Sequence, residues 1–580
     1  MRCRWTISEP DPEACRRLGE NLGIDPLLAR CLVQRDLTDP EAARLFLEPR
    51  LRLLSNPFDL PDMDRAVARL MQARTRGEPV LVFGDYDVDG VTATTLLKTG
   101  LGRLGWTVHH YLPHRMEEGY GLSTFGVENC LERFQVPLWV AVDCGSTSTE
   151  QIRLLAERGI DVIVVDHHQV SDPPPPAHAI VNPQRGPDNP TCPRSLCSAA
   201  LAFKLLHAVL RHGRDLGEQG FFDLDLKAEL DLVALATIAD LVPIRGENRI
   251  LVTAGLKRLE ATTRPGLIAL KEVAQTKSPV GVYEVGFQLG PRLNAAGRLE
   301  TAESALDLLL AGDVDAALPL ARALDATNRD RQAIERRMAD DAVALVRSRF
   351  DPDRDFVIVE GSGDWHIGVV GIVAARVMRE FHRPTIILGA DQQFWRGSGR
   401  SVPGFDLAEA LRDCTDLLEK HGGHAMAAGV TIEAERLAGF RDRLNQIARD
   451  RLSPDLLRPE LRLEAVVPLR DLTPERMTDL NRLEPFGQGN PSLQFVVPAV
   501  RLVGTPQRIG KDQQHWRLRV TDGVATADIL WWGGVESGQP LPSGTFDVAA
   551  VPQLDTYQNR ARVRLRLLDW RPAEPLPGRV

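Results

Sequence analysis

The sequence lacks the cysteine pattern of a disulfide-stabilised or zinc-binding protein. Its eight cysteines are irregularly placed, without the paired short spacings of a zinc ribbon. It also lacks a long apolar run, because the most apolar stretch, residues 228–244, is interrupted by Asp231 and Asp240. Its N-terminus has no apolar signal region. We therefore expect a cytoplasmic protein with no membrane segment, disulfide framework or structural zinc.

The chain has no excess of positive charge. Its formal net charge of -9 gives no electrostatic sign of nucleic-acid binding, so such a ligand would need a local groove. The 580 residues are 43% hydrophobic and 26% charged. This composition is ordinary for globular proteins and is sufficient for three or four domains with separate cores.

The apolar pattern divides the chain into regions. An N-terminal helical extension precedes apolar runs at 80–83, 106–111, 138–142 and 160–165, which alternate with helical stretches and predict an α/β fold with a mostly parallel sheet. A stretch with few helix breakers predicts one long linking helix. A smaller α/β domain and an all-β domain of the oligonucleotide-binding (OB) type follow. The predicted boundaries are 1–60, 61–310, 311–350, 351–453 and 454–580.

Three carboxylates follow the first apolar run. Asp85, Asp87 and Asp89 occupy every second position after Val80–Phe83, and alternate residues of an extended chain project to the same side. Such a cluster needs a cation, and hard divalent metals prefer oxygen ligands. A calcium-binding EF-hand loop begins similarly, but it needs Glu at its twelfth position, which here is Leu96. A solvated acidic turn is the simpler alternative.

Titratable residues also follow the apolar runs 138–142 and 161–165. These residues are Asp143, Asp166, His167 and His168. Because parallel strands present their carboxyl ends along one edge, we expect all of them to gather with the acidic loop around one cleft. A second pair, His109-His110, lies inside a predicted strand and is interpreted as structural.

Asp240 lies at the end of an apolar helix, shortly before Pro243. A negative charge at the C-terminal end of a helix is unfavourable for the helix dipole. Metal ligation would be a reason for an Asp at this place. We therefore expect Asp240 to complete the acidic site.

The ordered motifs FGDYDVDG, VDCG, DHH and ATIAD resemble the DHH phosphoesterase superfamily. Downstream segments are similar to the bacterial members that are exonucleases specific for single-stranded DNA; they are GPRLNAAGR at 290–298, GGHAMAAG at 422–429 and EPFGQGNP at 484–491. The resemblance covers nearly the whole chain from about residue 50. It implies a DHH catalytic domain, a DHHA1-type substrate-binding domain, an OB-fold domain, and 5′ to 3′ release of 5′-mononucleotides in DNA repair and recombination.

The resemblance also implies two divalent ions, Mn²⁺ or Mg²⁺. One ion would be held by Asp87 and Asp143, with Asp85 nearby. The other would be held by Asp89, Asp143, His167 and Asp240. Carboxylate ligands with one imidazole favour these metals over zinc, and the imidazole favours Mn²⁺.

Two residues beside these ligands receive other roles. His168 would contact the scissile phosphate, and Asp166 would orient an imidazole without binding the metal. The catalytic set is thus Asp87, Asp89, Asp143, His167, His168 and Asp240.

The resemblance implies that the second domain and the linking segment supply the substrate contacts. Residues 396–401 and 422–424 are predicted as turns whose backbone N-H groups approach phosphates. Together with the 290–298 segment they give the predicted substrate-binding residues, namely Arg292, Asn294, Arg298, Arg396, Ser398, Arg400, Gly422, Gly423 and His424. Arginine and aromatic residues of the last domain, including Tyr557 and Arg560, are expected to guide the DNA backbone and stack bases.

Three alternative functions stay open at this point. A phosphodiesterase for short oligoribonucleotides or cyclic dinucleotides would share the motifs but not the added β domain, and an inorganic pyrophosphatase needs no channel. A non-catalytic DNA-binding scaffold would show degenerate ligand positions, whereas here every expected position is filled. The expected partners are single-stranded DNA, a single-strand-binding protein and a recombination helicase, and we expect a monomer.

Overall fold

The computed structural model describes residues 3–115, 117–185, 194–391, 393–555 and 561–573. The chain forms two compact units. One comprises Pro49–Arg337 and Pro485–Asn490, and the other comprises Met1–Glu48, Met338–Glu484 and Pro491–Val580. In the part of the chain that is described, no helix has both the length and the apolar character needed to cross a membrane.

The N-terminal segment contains one strand and three helices. They are β1 (Arg4–Ile7), α1 (Pro12–Leu22), α2 (Pro26–Val33) and α3 (Pro40–Leu47). Each helix starts with Pro, and the preceding Asp accepts a backbone N-H bond in the first turn, which is a favourable helix start. The expectation of an all-helical segment missed β1, because four residues are too few for a clear alternation.

The first unit contains a five-stranded, entirely parallel sheet in the order β3-β2-β4-β5-β6. Its strands are β2 (Val80–Phe83), β3 (Val108–Tyr111), β4 (Leu138–Val142), β5 (Asp161–Val165) and β6 (Ala179–Val181). The four predicted strands are confirmed, and β6 was not predicted. Val80 and Val82 pack into one apolar layer, whereas Leu81 and Phe83 pack into the layer on the opposite face. Burial on both faces explains why these strands read as continuous apolar runs.

The first unit also contains a series of α-helices, some of which cover the two faces of this sheet. They are α4 (Met63–Arg76), α5 (Val88–Arg103), α6 (Thr124–Arg133), α7 (Thr149–Glu157), α8 (Ser198–Asp215), α9 (Leu230–Ala239), α10 (Gly246–Glu260), α11 (Pro265–Val273), α12 (Val282–Glu284), α13 (Gly290–Leu299) and α14 (Glu303–Leu310). The predicted long helix is confirmed as α15 (Val314–Arg347). Its 34 residues correspond to about 50 Å. The division between the two units falls within α15, after Arg337.

The second unit contains a mixed sheet in the order β10-β11-β9-β8-β7. Its strands are β7 (Ile358–Ser362), β8 (Thr385–Asp391), β9 (Phe394–Arg400), β10 (Lys420–His424) and β11 (Ala427–Ile432), and its helices are α16 (Val370–Phe381), α17 (Leu407–Arg412) and α18 (Leu437–Arg451). The prediction that residues 396–401 and 422–424 are turns is therefore wrong, because most of them lie in β9 and β10. The glycines of β9 serve close packing instead. A Cβ on Gly397 would lie 2.7 Å from the Ile387 carbonyl oxygen, and one on Gly399 would lie 2.5 Å from Leu407.

Apart from short helical segments, the described part of the C-terminal region is all-β, as predicted. Its elements are β12 (Glu460–Leu463), β13 (Ala465–Val466), α19 (Pro474–Leu480), β14 (Phe495–Leu502), β15 (Gln507–Ile509), β16 (His515–Thr521), β17 (Thr526–Trp531), β18 (Phe546–Asp555) and β19 (Arg562–Pro572). The sheet of this region has seven described strands, in the order β13-β14-β18-β19-β17-β16-β15. A further pairing of β14 with β16 brings its two ends together, and β12 pairs with β1.

Candidate metal centre

The acidic loop connects β2 to α5. The expectation that its three carboxylates share one extended segment is wrong, because α5 already begins at Val88. Asp85 lies in the loop, Asp87 is the N-cap of the helix, and Asp89 lies in its first turn. The Asp87 Oδ1 atom accepts the backbone N-H groups of Asp89 (2.9 Å) and Gly90 (3.2 Å). The preference for Asp at an N-cap explains the early helix start.

Asp89 is buried, with 1% of its surface exposed, against the start of α8. Its two carboxylate oxygens accept the backbone N-H groups of Ser198 (2.6 Å) and Ala199 (2.8 Å). The positive end of the helix dipole stabilises a carboxylate at this place. Sequence reasoning missed this contact between the start of α8 and Asp89.

Asp143 follows β4 directly and lies beside the same helix start. Its Oδ1 accepts a hydrogen bond from the Ser198 hydroxyl (2.9 Å) and lies 3.5 Å from His167 Nε2. Its φ of 62° is in the left-handed region, where Asp is among the few non-glycine residues commonly found. The backbone turn after β4 thus directs this carboxylate toward the ends of the neighbouring strands.

His167 lies at the centre of the cluster. Its Nε2 is 3.5 Å from an oxygen of Asp143, 3.5 Å from one of Asp240, and 4.0 Å from one of Asp89. Asp240 caps the C-terminal end of α9, as predicted. The predicted convergence of these elements is therefore present in the structure.

Several buried polar atoms of this cluster have no hydrogen-bond partner among the described residues. They are Asp85 Oδ1, His167 Nε2 and Asp240 Oδ2. Burying such atoms unpaired is costly. The distances among the Asp89, His167 and Asp240 donor atoms suit a shared ion, and a set of carboxylates with one imidazole suits Mn²⁺ or Mg²⁺. The residues present thus fit a divalent metal.

Burial makes this group of carboxyls reluctant to ionise. Burial, followed by the charge of Asp87, raises the pKa of Asp85 to about 7. Burial and then Asp89 raise the pKa of Asp240 to about 8. The pKa values of Asp89 and Asp143 are also raised, chiefly by burial. A bound cation would reverse these shifts, because it favours the charged form of each carboxyl.

Asp166 holds His168 next to the cluster. Its Oδ1 accepts His168 Nδ1-H (2.7 Å) and the backbone N-H of His167 (2.8 Å). Although burial opposes it, this bonding and the charge of His168 lower the pKa of Asp166. In turn, the Asp166 hydrogen bond raises the pKa of His168 to about 9. Asp166 was predicted to orient an imidazole, and the imidazole that its side chain contacts in the structure is that of His168.

The predicted substrate residues of α13 lie near the acidic loop but differ in their contacts. The Arg292 guanidinium is ion-paired with Asp325 of α15 (2.9 Å). The Asn294 Oδ1 atom accepts the backbone N-H of Val88 (3.1 Å). Arg298 is largely buried, and burial, followed by the charge of Arg115, lowers its pKa.

The predicted substrate residues of the second unit form two separate groups. Ser398 and Arg400 lie on one face of β9, with Arg400 Nη1 donating to Ser398 Oγ (2.8 Å). Both contact the start of α16, where a Cβ on Gly371 would lie 2.9 Å from Arg400 Nη2 and 3.1 Å from Ser398 Oγ. Arg396, on the same strand, is more exposed and pairs with Asp391 (2.7 Å).

The other group, Gly422, Gly423 and His424, is on β10, which β11 separates from β9. These three residues are exposed. The predicted DNA-contacting residues Tyr557 and Arg560 fall outside the described residues.

The chain matches three protein families in order along its length. Residues 79–237 match the N-terminal domain of the DHH family. Residues 354–450 match the DHHA1 domain, and residues 463–569 match the RecJ OB domain. The order is the one that the sequence motifs implied.

Individual proteins are similar over almost the entire chain. The single-stranded-DNA-specific exonuclease RecJ of Bacillus subtilis (strain 168) is 35% identical over 575 residues, which are 98% of this chain and 71% of that protein. RecJ of Thermus thermophilus, crystallised with Mn²⁺, has 32% identity and a TM-score of 0.83 over 100% of this chain and 81% of that one. Its crystal structure with Mg²⁺ has 30% identity and a TM-score of 0.78 over 100% and 80%. The chain belongs to the RecJ family of single-stranded-DNA-specific exonucleases.

Proposed function

We propose that this protein is a metal-dependent exonuclease that degrades single-stranded DNA from 5′ to 3′, releases 5′-mononucleotides, and acts in DNA repair and recombination. The observation that carries the proposal is the position of His167 Nε2, within 4.0 Å of carboxylates from three separate elements. Membership of the RecJ family supports the substrate and the reaction class.

Six residues are proposed to hold two Mn²⁺ or Mg²⁺ ions. One ion would be bound by Asp87 and Asp143, with Asp85 nearby. The other ion would be bound by Asp89, Asp143, His167 and Asp240. The related RecJ structures contain Mn²⁺ and Mg²⁺. Such a pair of ions, when bound, supplies a water nucleophile at neutral pH and stabilises charge on the leaving 3′-oxygen.

The surrounding residues hold the substrate and the site geometry. His168, whose Nδ1 is fixed by Asp166, is half-exposed and is proposed to donate from Nε2 to the scissile phosphate. Ser198 holds the Asp143 carboxylate, and the start of α8 holds Asp89. The site is thus preorganised by groups that need not move during the reaction.

The second unit is proposed to bind the DNA backbone. Its candidate contacts are Arg396, Ser398, Arg400, Gly422, Gly423 and His424, and the first unit would add Arg298 and Arg292. Ser398 and Arg400 lie against the N-terminal turn of α16, where the helix dipole adds to the attraction for phosphate. Arg292 is the weaker candidate, because Asp325 already pairs with it.

We further propose the division 1–60, 61–310, 311–350, 351–453 and 454–580. The three family matches lie inside the second, fourth and fifth parts. The protein is proposed to act in the cytoplasm, where its DNA substrate is found. We propose that it acts as a monomer on DNA delivered by a recombination helicase and a single-strand-binding protein.

An end-labelling experiment tests the proposed function. Long single strands labelled at either end, and the matching duplex, are incubated with the protein and Mn²⁺ or with a chelator. We expect the 5′ label to be released first from single strands, little release from the duplex, and no release with the chelator. Earlier loss of the 3′ label, or cleavage in the chelator, would contradict the proposal.

A further inference from the structure

The helix α13 contacts the acidic loop on both sides of Asp87. Asn294 Oδ1 accepts the backbone N-H of Val88, the residue after Asp87 (3.1 Å). Gly297, one turn later on α13, lies against Tyr86, the residue before Asp87. A Cβ on Gly297 would come within 2.6 Å of the Tyr86 carbonyl oxygen. Positions three apart share a helix face, so a single face of α13 contacts both neighbours of Asp87.

Asn294 and Asp87 together accept the hydrogen bonds of the first backbone N-H groups of α5. These groups have no partner within the helix itself. Asp87 accepts those of Asp89 and Gly90 through a single oxygen, Oδ1, and Asn294 accepts that of Val88. Without Asn294, the Val88 N-H would lose its acceptor. The first turn of α5, which Asp87 caps and which carries Asp89, would then be held by fewer hydrogen bonds.

The loop itself is tightly packed. A Cβ on Gly90 would lie 2.4 Å from the Asp85 carbonyl oxygen, so a shift at Val88 cannot be absorbed there. A displacement caused at α13 would therefore pass to the carboxylates of the loop. The two closest to the change are those of Asp87 and Asp89, which flank Val88.

We infer that α13 positions the metal-binding loop, with Asn294 as a positioning residue for Asp87 and not a DNA contact. This inference rests on the proposed metal centre, and it reassigns a residue that the family resemblance placed with the substrate. Gly297 permits the approach that makes the Asn294 bond possible. Asn294 thus acts on catalysis only through the carboxylates of the loop.

The direct test is the variant Asn294→Ala, titrated with MnCl₂ and followed by calorimetry and by the electron paramagnetic resonance signal of bound Mn²⁺. We expect the affinity for Mn²⁺ to fall about five- to tenfold, as for the loss of one hydrogen bond. We expect affinity for a single-stranded 30-mer, measured in a chelator, to stay within about twofold. Unchanged Mn²⁺ affinity, or weaker DNA binding alone, would overturn the inference.

The variant Asn294→Asp separates the two roles further. Its carboxylate keeps an acceptor for the Val88 N-H but loses the amide donor and adds a negative charge. A positioning role predicts that Mn²⁺ affinity returns to within about threefold of the unaltered protein. A DNA-contacting role predicts the opposite pattern, with DNA binding weakened by repulsion of phosphate and Mn²⁺ binding already normal in Asn294→Ala.

Asn445 offers a matched control in the second unit. Its Oδ1 accepts the backbone N-H groups of Phe356 (2.8 Å) and Val357 (3.1 Å), so Asn445→Ala removes bonds of the same kind far along the chain. We expect a lower melting temperature with normal Mn²⁺ affinity. If this control also weakens Mn²⁺ binding, the effect of Asn294→Ala is general destabilisation and the inference is wrong.

A second variant keeps the test valid if Asn294→Ala folds poorly. Gly297→Ala leaves Asn294 in place but pushes Tyr86, and it should also weaken Mn²⁺ binding by several-fold. Metal binding is measured without cleavage, so these results stand apart from the proposed nuclease function. An unaltered protein that binds Mn²⁺ but cuts no DNA would refute that function and leave the inference standing.

Discussion

The chain contains two adjacent-histidine pairs in the same parallel sheet, and their surroundings differ completely. His167 and His168 follow the carboxyl end of β5, among carboxylates from several elements. His109 and His110 lie inside β3. The His109 ring packs against Phe134 in a tilted arrangement, with ring centroids 5.2 Å apart. The two pairs are identical in residue type but differ in their position relative to the strands and in the number of carboxylates beside them.

The hydrogen-bond partners of the ring nitrogens also differ between the pair inside β3 and the pair at the proposed metal centre. His110 Nδ1 lies 2.5 Å from Lys98 Nζ, and its Nε2 lies 3.3 Å from Glu303, so both ring nitrogens have a structural partner. His167 Nε2 is buried and has no hydrogen-bond partner within the described part of the chain. The end of a parallel strand leaves a ring nitrogen available, whereas the middle of a strand surrounds it with neighbouring helices.

The largest loss of cleavage is expected when a carboxylate beside His167 is removed. Asp143→Ala removes a carboxylate that lies 3.5 Å from His167 Nε2 and that is assigned to both ions. We expect cleavage to fall by at least about 10³-fold. Affinity for single-stranded DNA, which is spread over other residues, should stay within a few-fold. End-label release and filter binding measure the two quantities, and normal turnover would break the contrast between the pairs.

Removing one histidine from each pair tests the comparison directly. His167→Ala should lower kcat about 10²-fold or more and weaken Mn²⁺ binding, because it removes a candidate ligand. His110→Ala should leave kcat within about twofold and lower the free energy of unfolding by about 1 kcal/mol, through its lost hydrogen bonds. Cleavage assays and urea unfolding give both values. Equal losses of kcat would mean that strand position does not separate the pairs.

The effects of replacing the other two histidines, His168 and His109, should differ less from each other. His168→Ala removes a charge-assisted hydrogen bond to phosphate and should lower kcat about tenfold to a hundredfold, with Mn²⁺ affinity nearly normal. His109→Ala loses its contact with Phe134 and should reduce the free energy of unfolding by about 1 kcal/mol. A drop in Mn²⁺ affinity for His168→Ala would move that residue into the ligand set.

His424 belongs to neither pair and should show the smallest effect. It is exposed on β10 of the second unit and is proposed to contact DNA. His424→Ala should raise KM about five- to tenfold, with kcat and metal content close to normal. Metal analysis beside steady-state kinetics tests this. A loss of bound metal would place His424 in the same functional class as His167.

Much of the difference between the two histidine pairs could be predicted from the sequence. Apolar runs ending in Asp143 and in Asp166-His167-His168 identified both the parallel sheet and the edge at which the site forms, because such strands are buried on both faces. Asp240 could be predicted for another reason. A carboxylate at the C-terminal end of a helix interacts unfavourably with the helix dipole, so its presence there indicates another role. The long helix α15 followed from the absence of helix breakers.

Other features depended on contacts that no local pattern encodes. The bonds from Ser198 and Ala199 to Asp89 join residues more than a hundred positions apart, and a helix start gives no sign of the anion that it will meet. The glycines of β9 were taken as turn formers, although their role is close packing against Ile387 and Leu407. By contrast, the N-cap role of Asp87 could have been predicted, because Asp before a helix is a known preference.

The left-handed backbone at Asp143 has a consequence for which sequences could carry this site. Glycine, Asn, Asp and His are the residues enriched at such a φ. Among these four, only Asp is an anion. Glu would supply the same charge, but its side chain is not favoured by this backbone. Conformation and charge therefore each favour Asp at residue 143, for separate reasons.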